Sequence, residues 1–504
     1  MSRSEAAVVE RSTRLGRVRG VERIGAHTFW GLRFGQPPKR FQRPVAAGGW
    51  EGIYDATTPK AQPLQGPYAF FYGPEPAGGY SEDCLFLNIH VPATPSIKPR
   101  PVLFWIYGGG GTGGSANQYD GSALAATADA VVVCINYRLG VFGLLDLSEL
   151  GGPYFDSGNN WIADQLLALQ WVRDNIADYG GDPDCVTVMG ESQGAMATLN
   201  LCAIPAARGL VHRAMAFSGH CAPMAPIADT PALFARLRKT SRRDVIDFLL
   251  QAPAQDVLKL QLRAQYRGMR LGCPPEPGRL LPAPVADLIA QRGADAVPLV
   301  MGYQPNEGKF LAAFIDHYKQ RGLKREFLLR AAAIGYGAVA AGGDSVWRYL
   351  LRQHRQKPIW SAYAMADAAV TDVFRRGSII FALATRQAGA KAFRFVLDAT
   401  PGSLGGIDVG STHCTDLAFT FNWYADPQPS MTPICTSPAA PALAQRWAKM
   451  VGQFARTGDP SGPLGDWPAY DAQRRATLMV GLDAIRVVDD PERQHRLRVW
   501  REGA

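Results

Sequence analysis

Short apolar runs alternate with helical patterns along the chain. Six runs are apolar at successive positions, as expected for strands of a parallel sheet that are buried on both faces. These runs are 102–107, 131–136, 186–189, 213–217, 297–303 and 393–397. The clearest helical pattern covers 160–179, where apolar residues recur every three or four positions. Strands and helices in alternation predict an α/β fold, a central twisted and mostly parallel sheet with helices on both faces.

One segment fits this alternation poorly. Residues 222–292 are rich in helix formers and proline, so we expect a helical excursion that caps the sheet rather than a separate domain. A loop at 62–81 carries Tyr68, Phe70, Phe71 and Tyr72, which either wall a hydrophobic entrance or pack among themselves. The chain shows no internal repeat and no low-complexity tract, and its 504 residues are enough for a large core.

Composition and charge exclude several classes of function. The net charge is +9, but the cations are scattered and no aromatic platform accompanies them, which argues against nucleic-acid binding. No apolar run is long enough to cross a membrane, and the N-terminus lacks the pattern of a secretory signal. The 8 cysteines form no clustered pairs, so we expect reduced thiols, no zinc site and a cytoplasmic protein.

The stretch VTVMGESQGAMATL at 186–199 places Ser192 between two glycines where a strand turns directly into a helix. Such a turn forces the serine into a strained backbone conformation. Gly190 and Gly194 leave room on either side, because neither carries a Cβ that would collide with the neighbouring strand and helix. The pattern predicts a nucleophile elbow, in which the serine hydroxyl stands clear of the sheet. A plain strand-to-helix turn is the alternative, since G-x-S-x-G is common by chance.

A second glycine-rich segment, WIYGGGGTGGS at 105–115, follows a predicted strand and has two interpretations. Gly108, Gly110 and Gly113 satisfy the dinucleotide-binding pattern, which would indicate an oxidoreductase. That pattern also requires a carboxylate after the next strand, and the sequence there is Asn136-Tyr137-Arg138. The alternative is an oxyanion hole, in which glycine backbone N–H groups converge on one oxygen. We favour the oxyanion hole and expect no cofactor.

Several motifs occur together and in order. They are EDCLFLNIHVP at 82–92, VLFWIYGGGG at 102–111, INYRLGVFGLL at 135–145, ALQWVRDNIADYGGDPDCVTVMGESQG at 168–194, FARTGDPSGP at 454–463 and WPAY at 467–470. With these motifs the chain resembles the type-B carboxylesterases of the α/β-hydrolase superfamily, a family that includes cholinesterases and bacterial para-nitrobenzyl esterases. The resemblance spans nearly the whole chain and implies one catalytic domain over 1–504.

The resemblance also implies a catalytic triad. Ser192 matches the nucleophile, His413 in STHCTDLAFTF matches the catalytic histidine, and Glu307 in GYQPNEGKF matches the acid. The histidine takes the serine proton and the carboxylate orients the imidazole. Asp408 and Asp416 are the competing acids. His220 is the competing histidine, which we expect only near the pocket.

Other positions carry supporting roles by the same resemblance. The backbone N–H groups of Gly109, Gly110 and Gln193 are the expected oxyanion donors. Glu191, Asp416 and Ser218 are the expected supporting residues, although a purely structural carboxylate at Glu191 fits equally well.

The sequence departs from the family pattern at four positions, one of which is Trp161 in place of a usual glycine. Most relatives carry alanine where this chain has Gln193, and an aromatic residue where it has Gly111. The cysteine that would pair with Cys84 is absent, so Cys84 is expected to be a free thiol.

We therefore expect a metal-free serine hydrolase that cleaves small apolar carboxylic esters through an acyl-enzyme intermediate. Amide, carbamate or lactone hydrolysis with the same triad is one alternative, and a non-catalytic binding relative is another. The oligomeric state and the natural substrate are left open.

Overall fold

The computed structural model describes residues 7–66, 77–220, 230–266, 280–317, 322–356, 361–400, 402–404, 407–425 and 434–501. The chain divides into two compact units. The first consists of Met1–His212 with Pro223–Val285, and the second of Arg213–Ala222 with Ala286–Ala504. The predicted single catalytic domain over 1–504 remains a prediction. The aromatic side chains predicted at 68–72 lie outside the described residues.

The first unit is built on a mixed sheet. The strands of this unit are β1 (Val8–Thr13), β2 (Gly16–Arg23), β3 (Ala26–Arg33), β4 (Ile53–Asp55), β5 (Gln62–Pro63), β6 (Tyr80–Ser81), β7 (Phe86–Pro92), β8 (Arg100–Ile106), β9 (Val131–Ile135) and β10 (Gly181–Glu191). The main sheet has the order β1-β2-β3-β7-β9-β8-β10, and β4 pairs with β2. Pairing is antiparallel from β1 to β9 and parallel among β9, β8 and β10. Every residue of β8 and β9 is buried, as two covered faces require.

Helices of the first unit connect and cover these strands. They are α1 (Ser122–Ala128), α2 (Gly140–Leu144), α3 (Asn160–Asn175), α4 (Gln193–Ala203), α5 (Thr230–Arg238), α6 (Arg242–Gln251) and α7 (Ala254–Tyr266). The helix predicted at 160–179 is α3 followed by the 3-10 turn Ile176–Tyr179. Gly180 ends it with φ 78°, a left-handed conformation that glycine adopts without strain.

The second unit carries the rest of the predicted parallel strands. Its strands are β11 (Arg213–Phe217), β12 (Leu299–Tyr303), β13 (Ala392–Asp398), β14 (Gly402–Leu404), β15 (Ile407–Asp408), β16 (Ile434–Cys435), β17 (Ala476–Gly481) and β18 (Ile485–Asp489). Strands β11, β12, β13 and β17 pair in parallel in that order, and β18 closes the edge antiparallel to β17. Strands β14, β15 and β16 form a small antiparallel sheet.

The helices of the second unit include the longest one described, Ala362–Gln387. They are α8 (Val285–Ala290), α9 (Lys309–His317), α10 (Gly322–Ala341), α11 (Val346–Gln356), α12 (Ala362–Gln387), α13 (Thr415–Thr420), α14 (Ala440–Thr457) and α15 (Arg493–His495). None of the helices in the described ranges has the length and apolar character needed to cross a membrane.

All six apolar runs predicted as strands are strands, and each pairs in parallel with a neighbour. The antiparallel strands β1 to β3 were not predicted. In β1 every second residue is exposed, so the strand has no continuous apolar run that would reveal it. Cys84 is a buried free thiol, as predicted.

The described part of the predicted excursion is helical. Helices α5 to α7 share a core in which Phe234, Val245, Leu249 and Leu258 pack in one cluster with Phe142. The side chain of Arg40 donates to the carbonyl oxygens of Leu249 (2.9 Å) and Ala252 (2.7 Å) at the end of α6. Residues 221–229 and 267–279 lie outside the described residues, so the capping role of the excursion stays a prediction.

Candidate active site

Ser192 lies at the turn between β10 and α4. Its backbone has φ 57° and ψ −121°, a conformation that is strained for any residue with a Cβ. A Cβ on Gly190 would lie 2.7 Å from the carbonyl oxygen of Ile106, and one on Gly194 would collide with the same oxygen. Both glycines are therefore required by the close approach of β8, as the sequence predicts. The turn has the geometry of a nucleophile elbow.

The glycine-rich segment after β8 packs against this turn. A Cβ on Gly108 would lie 2.8 Å from the backbone oxygen of Glu191 and 3.0 Å from the Cβ of Ser192. Gly109, Gly110 and Gly111 have φ values of 102°, 61° and 70°, which residues with side chains rarely adopt. The segment thus brings bare backbone beside the serine, as an oxyanion hole requires.

Neighbouring hydrogen bonds hold the glycine loop in place. The amides of Thr112 and Gly113 both donate to the carbonyl of Gly109, at 3.1 Å each. The side chain of Gln65 accepts from the N–H of Gly114 (2.8 Å) and donates to its carbonyl (2.9 Å).

The proposed oxyanion donors are unengaged within the described part of the chain. No hydrogen bond there uses the backbone N–H of Gly109, Gly110 or Gln193. Glu191 is 1% exposed and lies against the loop, its Oε2 being 2.9 Å from the place a Cβ on Gly108 would take.

The second unit joins the predicted acid and histidine. Nδ1 of His413 lies 2.6 Å from Oε2 of Glu307, and both side chains are buried. Because a carboxylate only accepts hydrogen bonds, Nδ1 carries the proton and Nε2 is the basic nitrogen. The competing Asp408 instead accepts from the N–H of Gly410 (3.0 Å), and Asp416 accepts from the side-chain amide of Gln304 (2.7 Å).

Two residues, Ser218 and Gln304, contact the other carboxylate oxygen of Glu307. Oε1 of Glu307 lies 2.7 Å from the hydroxyl of Ser218 and accepts from the backbone N–H of Gln304 at 2.8 Å. The side-chain amide of Gln304 donates to Asp416 (2.7 Å) and its oxygen lies 2.6 Å from the Ser218 hydroxyl. Ser218 and Asp416 are thus connected to the acid, and Gln304 is a link that the sequence did not reveal. Its only signal is a polar residue directly after a buried strand.

Aromatic rings enclose His413. Phe374 stacks on the imidazole at a centroid distance of 4.9 Å, and Phe310 contacts it edge-on at 5.5 Å. Phe374 lies on α12, far from His413 in sequence, and no local pattern indicated this role.

His220 also contacts Phe374, edge-on at a centroid distance of 5.5 Å. Burial, and then the nearby His413, lower the pKa of His220 to about 4, so its imidazole is neutral near pH 7. Glu307 contacts His413 and not His220. The expectation that His220 lies near the pocket stays a prediction.

These features define a serine hydrolase of the α/β-hydrolase class, and comparison with known proteins agrees. The model of the carboxylesterase family matches residues 6–500. A para-nitrobenzyl esterase of Bacillus subtilis (strain 168) is 31% identical, with 97% of this chain and 98% of the relative covered. Human carboxylesterase 3 is 30% identical, over 99% of this chain and 91% of that protein. The chain belongs to the carboxylesterase family.

Solved structures give the same fold. A PNB esterase structure superposes with a TM-score of 0.81 at 30% identity, covering 97% of this chain and 99% of the other. A carboxylesterase of Geobacillus stearothermophilus superposes with a TM-score of 0.80 at 30% identity, with the same coverage. The protein has the α/β-hydrolase fold and is a carboxylic ester hydrolase.

Proposed function

We propose that Ser192, Glu307 and His413 act as one triad that hydrolyses small apolar carboxylic esters. The observation that carries the proposal is the 2.6 Å contact between Glu307 and His413, which leaves Nε2 of the imidazole as a base. The strained turn at Ser192 supports the nucleophile assignment. Relatives named para-nitrobenzyl esterase and carboxylesterase support the ester bond as the target.

The reaction follows from these groups. Nε2 of His413 takes the proton of the Ser192 hydroxyl while Oγ attacks the ester carbonyl carbon. The negative charge on the carbonyl oxygen is stabilised by the backbone N–H groups of Gly109, Gly110 and Gln193. Collapse of this intermediate breaks the ester C–O bond, and the imidazolium protonates the leaving alcohol. A water molecule, deprotonated by the same imidazole, then releases the acid and restores the serine.

The serine assignment is tested by substitution and by labelling. Ser192→Ala is expected to lower kcat for para-nitrophenyl butyrate by about 10⁴-fold or more, because the nucleophile is lost. Labelling with an organophosphate and mapping the peptide should place the modification on Ser192. Modification of another peptide, or parental activity in Ser192→Ala, would reject the proposal. A panel of esters, amides, carbamates and lactones then separates the alternative substrates.

A reducing location is proposed from the thiols. Cys84, Cys134 and Cys435 are buried and free in the described structure. This favours the cytoplasm, where thiols remain reduced. Fractionation of cells that express the native gene tests the location.

A further inference from the structure

The contact between Glu307 and His413 joins two separate segments of the second unit. Glu307 lies in the turn between β12 and α9, and His413 lies in the loop before α13. Hydrogen bonds between such segments are needed if the two side chains are to keep a contact of 2.6 Å. The residue directly before the histidine, Thr412, supplies them.

The side chain of Thr412 makes two hydrogen bonds to the backbone around Glu307, one in the turn and one in the first turn of α9. Its hydroxyl donates to the carbonyl oxygen of Asn306 at 2.6 Å and accepts from the N–H of Phe310 at 2.9 Å. The side chain is fully buried. The hydroxyl therefore uses its one proton and one lone pair on backbone groups that flank Glu307 on both sides.

Thr412 is itself fixed within its own loop. Its N–H donates to the hydroxyl of Thr415 at 3.0 Å, in the first turn of α13. One further backbone bond joins the segments, from the N–H of Asn306 to the carbonyl of Ser411 at 3.1 Å. The hydroxyl of Thr412 thus adds two short hydrogen bonds to this backbone bond between the segments that carry Glu307 and His413.

We propose that Thr412 is a positioning residue of the esterase reaction, whose hydroxyl sets the spacing between Glu307 and His413. The inference rests on the proposed triad. Thr412 acts through the acid and the histidine and does not need to touch the substrate. Its loss should lower the chemical rate, because displacement of a catalytic group by about 1 Å can cost about 10²-fold. Substrate binding should change little.

The test compares a substitution that removes the hydroxyl of Thr412 with one that keeps it. Thr412→Val removes the hydroxyl and nearly preserves the volume, whereas Thr412→Ser keeps the hydroxyl. We expect Thr412→Val to lower kcat for para-nitrophenyl butyrate by about 10-fold to 10²-fold with KM nearly unchanged. Thr412→Ser should stay within about 3-fold of the parent. Rates are normalised to active sites titrated with an organophosphate, so that unfolded protein does not contribute. Thr412→Ala replaces Thr412→Val if the valine variant does not fold.

Thr477 provides a matched control. It is also a fully buried threonine, and it lies on β17. Its hydroxyl donates to the carbonyl oxygen of Arg475 at 3.2 Å. Thr477→Val should lower the melting temperature but leave kcat per titrated site unchanged. An equal loss of kcat in Thr477→Val and Thr412→Val would overturn the proposal, since any buried hydroxyl would then have the same effect.

A double-mutant cycle separates positioning from a general structural role. In a Glu307→Gln background there is no carboxylate for Thr412 to position. Adding Thr412→Val should therefore lower kcat further by less than about 3-fold. The proposed role of Thr412 is overturned if Thr412→Val lowers kcat as much in that background as in the parent. It is also overturned if Thr412→Ser does not retain activity. Parental kcat in Glu307→Gln alone would instead overturn the triad, and the Thr412 proposal with it.

Discussion

The imidazole of His413 contacts the carboxylate of Glu307 at 2.6 Å although 106 positions separate them in the sequence. The other carboxylate oxygen is held by the Ser218 hydroxyl and the Gln304 N–H, and Phe374 covers one face of the ring. The proposed acid and the proposed base are thus oriented before any substrate binds. Such preorganisation avoids the cost of arranging these groups during the reaction.

Replacing the acid should disable the base. Glu307→Gln keeps the size of the side chain but removes its charge, and is expected to lower kcat by about 10²-fold to 10⁴-fold, because neither the imidazole tautomer nor the imidazolium is stabilised. Stopped-flow or steady-state hydrolysis of para-nitrophenyl butyrate measures the loss. Asp408→Asn, at the competing acid, should remain near the parental rate. The assignment of the acid is wrong if the two variants exchange these outcomes.

The elbow depends on a glycine that tolerates no side chain. A Cβ on Gly194 would collide with the carbonyl oxygen of Ile106 and lie 2.9 Å from the carbonyl carbon of Tyr107. Gly194→Ala is expected to cost about 1–3 kcal/mol of stability and to lower kcat strongly, since β8 or the serine turn must move. Chemical denaturation and active-site titration measure the two effects.

Gly48 serves as the control for this substitution. No atom lies within 4 Å of a Cβ built there, so Gly48→Ala should leave stability and kcat nearly unchanged. A folded Gly194→Ala enzyme with parental kcat would show that the turn does not set the position of the serine.

The buried strands next to the candidate site were easier to predict from the sequence than the strands at the edge of the sheet. Runs such as 131–136 are buried on both faces, so their hydrophobic pattern is unambiguous. The edge strand β1 alternates exposed with half-buried residues and gave no such signal. Ser192, Gly190 and Gly194 were identifiable because a tight turn leaves a local pattern.

Residues that act through tertiary contacts were not predictable in the same way. Gln304 bridges Ser218 and Asp416, and Phe374 stacks on His413 from another helix. Neither residue leaves a recognisable motif in the sequence around it, because its partners come close only when elements distant in the sequence pack together. Patterns in a single sequence indicate local geometry and burial. These contacts depend instead on how elements distant in the sequence pack together.

The identity of the side chain at Gln193 should matter little to catalysis. The proposed oxyanion donor is its backbone N–H, which every residue except proline provides. The side chain is 6% exposed, and its Nε2 has no hydrogen-bond partner in the described structure. Gln193→Ala is therefore expected to keep kcat within about 3-fold and to leave stability unchanged or slightly higher, since a buried unpaired amide costs about 1–3 kcal/mol. A loss of 10²-fold or more would show that the carboxamide itself takes part in the reaction.

His90 makes the stability of the fold depend on pH, separately from catalysis. Its side chain is fully buried, Nε2 accepts from the N–H of Gly121 at 3.2 Å, and Nδ1 lies 3.1 Å from the Thr28 hydroxyl. Burial lowers the pKa of His90 to about 4, while the unfolded chain has the ordinary value near 6.5. Between these values the unfolded state binds the proton and the folded state does not, so stability falls as the pH falls.

The expected size of this term can be measured directly. For a pKa of about 4 in the folded protein and about 6.5 in the unfolded one, the loss between pH 7 and pH 5 is about 2 kcal/mol. His90→Gln removes the titrating group, so its free energy of unfolding should fall by about 2 kcal/mol less than that of the parent over the same range. Urea unfolding of both proteins at the two pH values gives the difference. Equal losses in the two proteins would mean that His90 keeps its ordinary pKa in the folded state, and that burial in this part of the sheet does not exclude the proton.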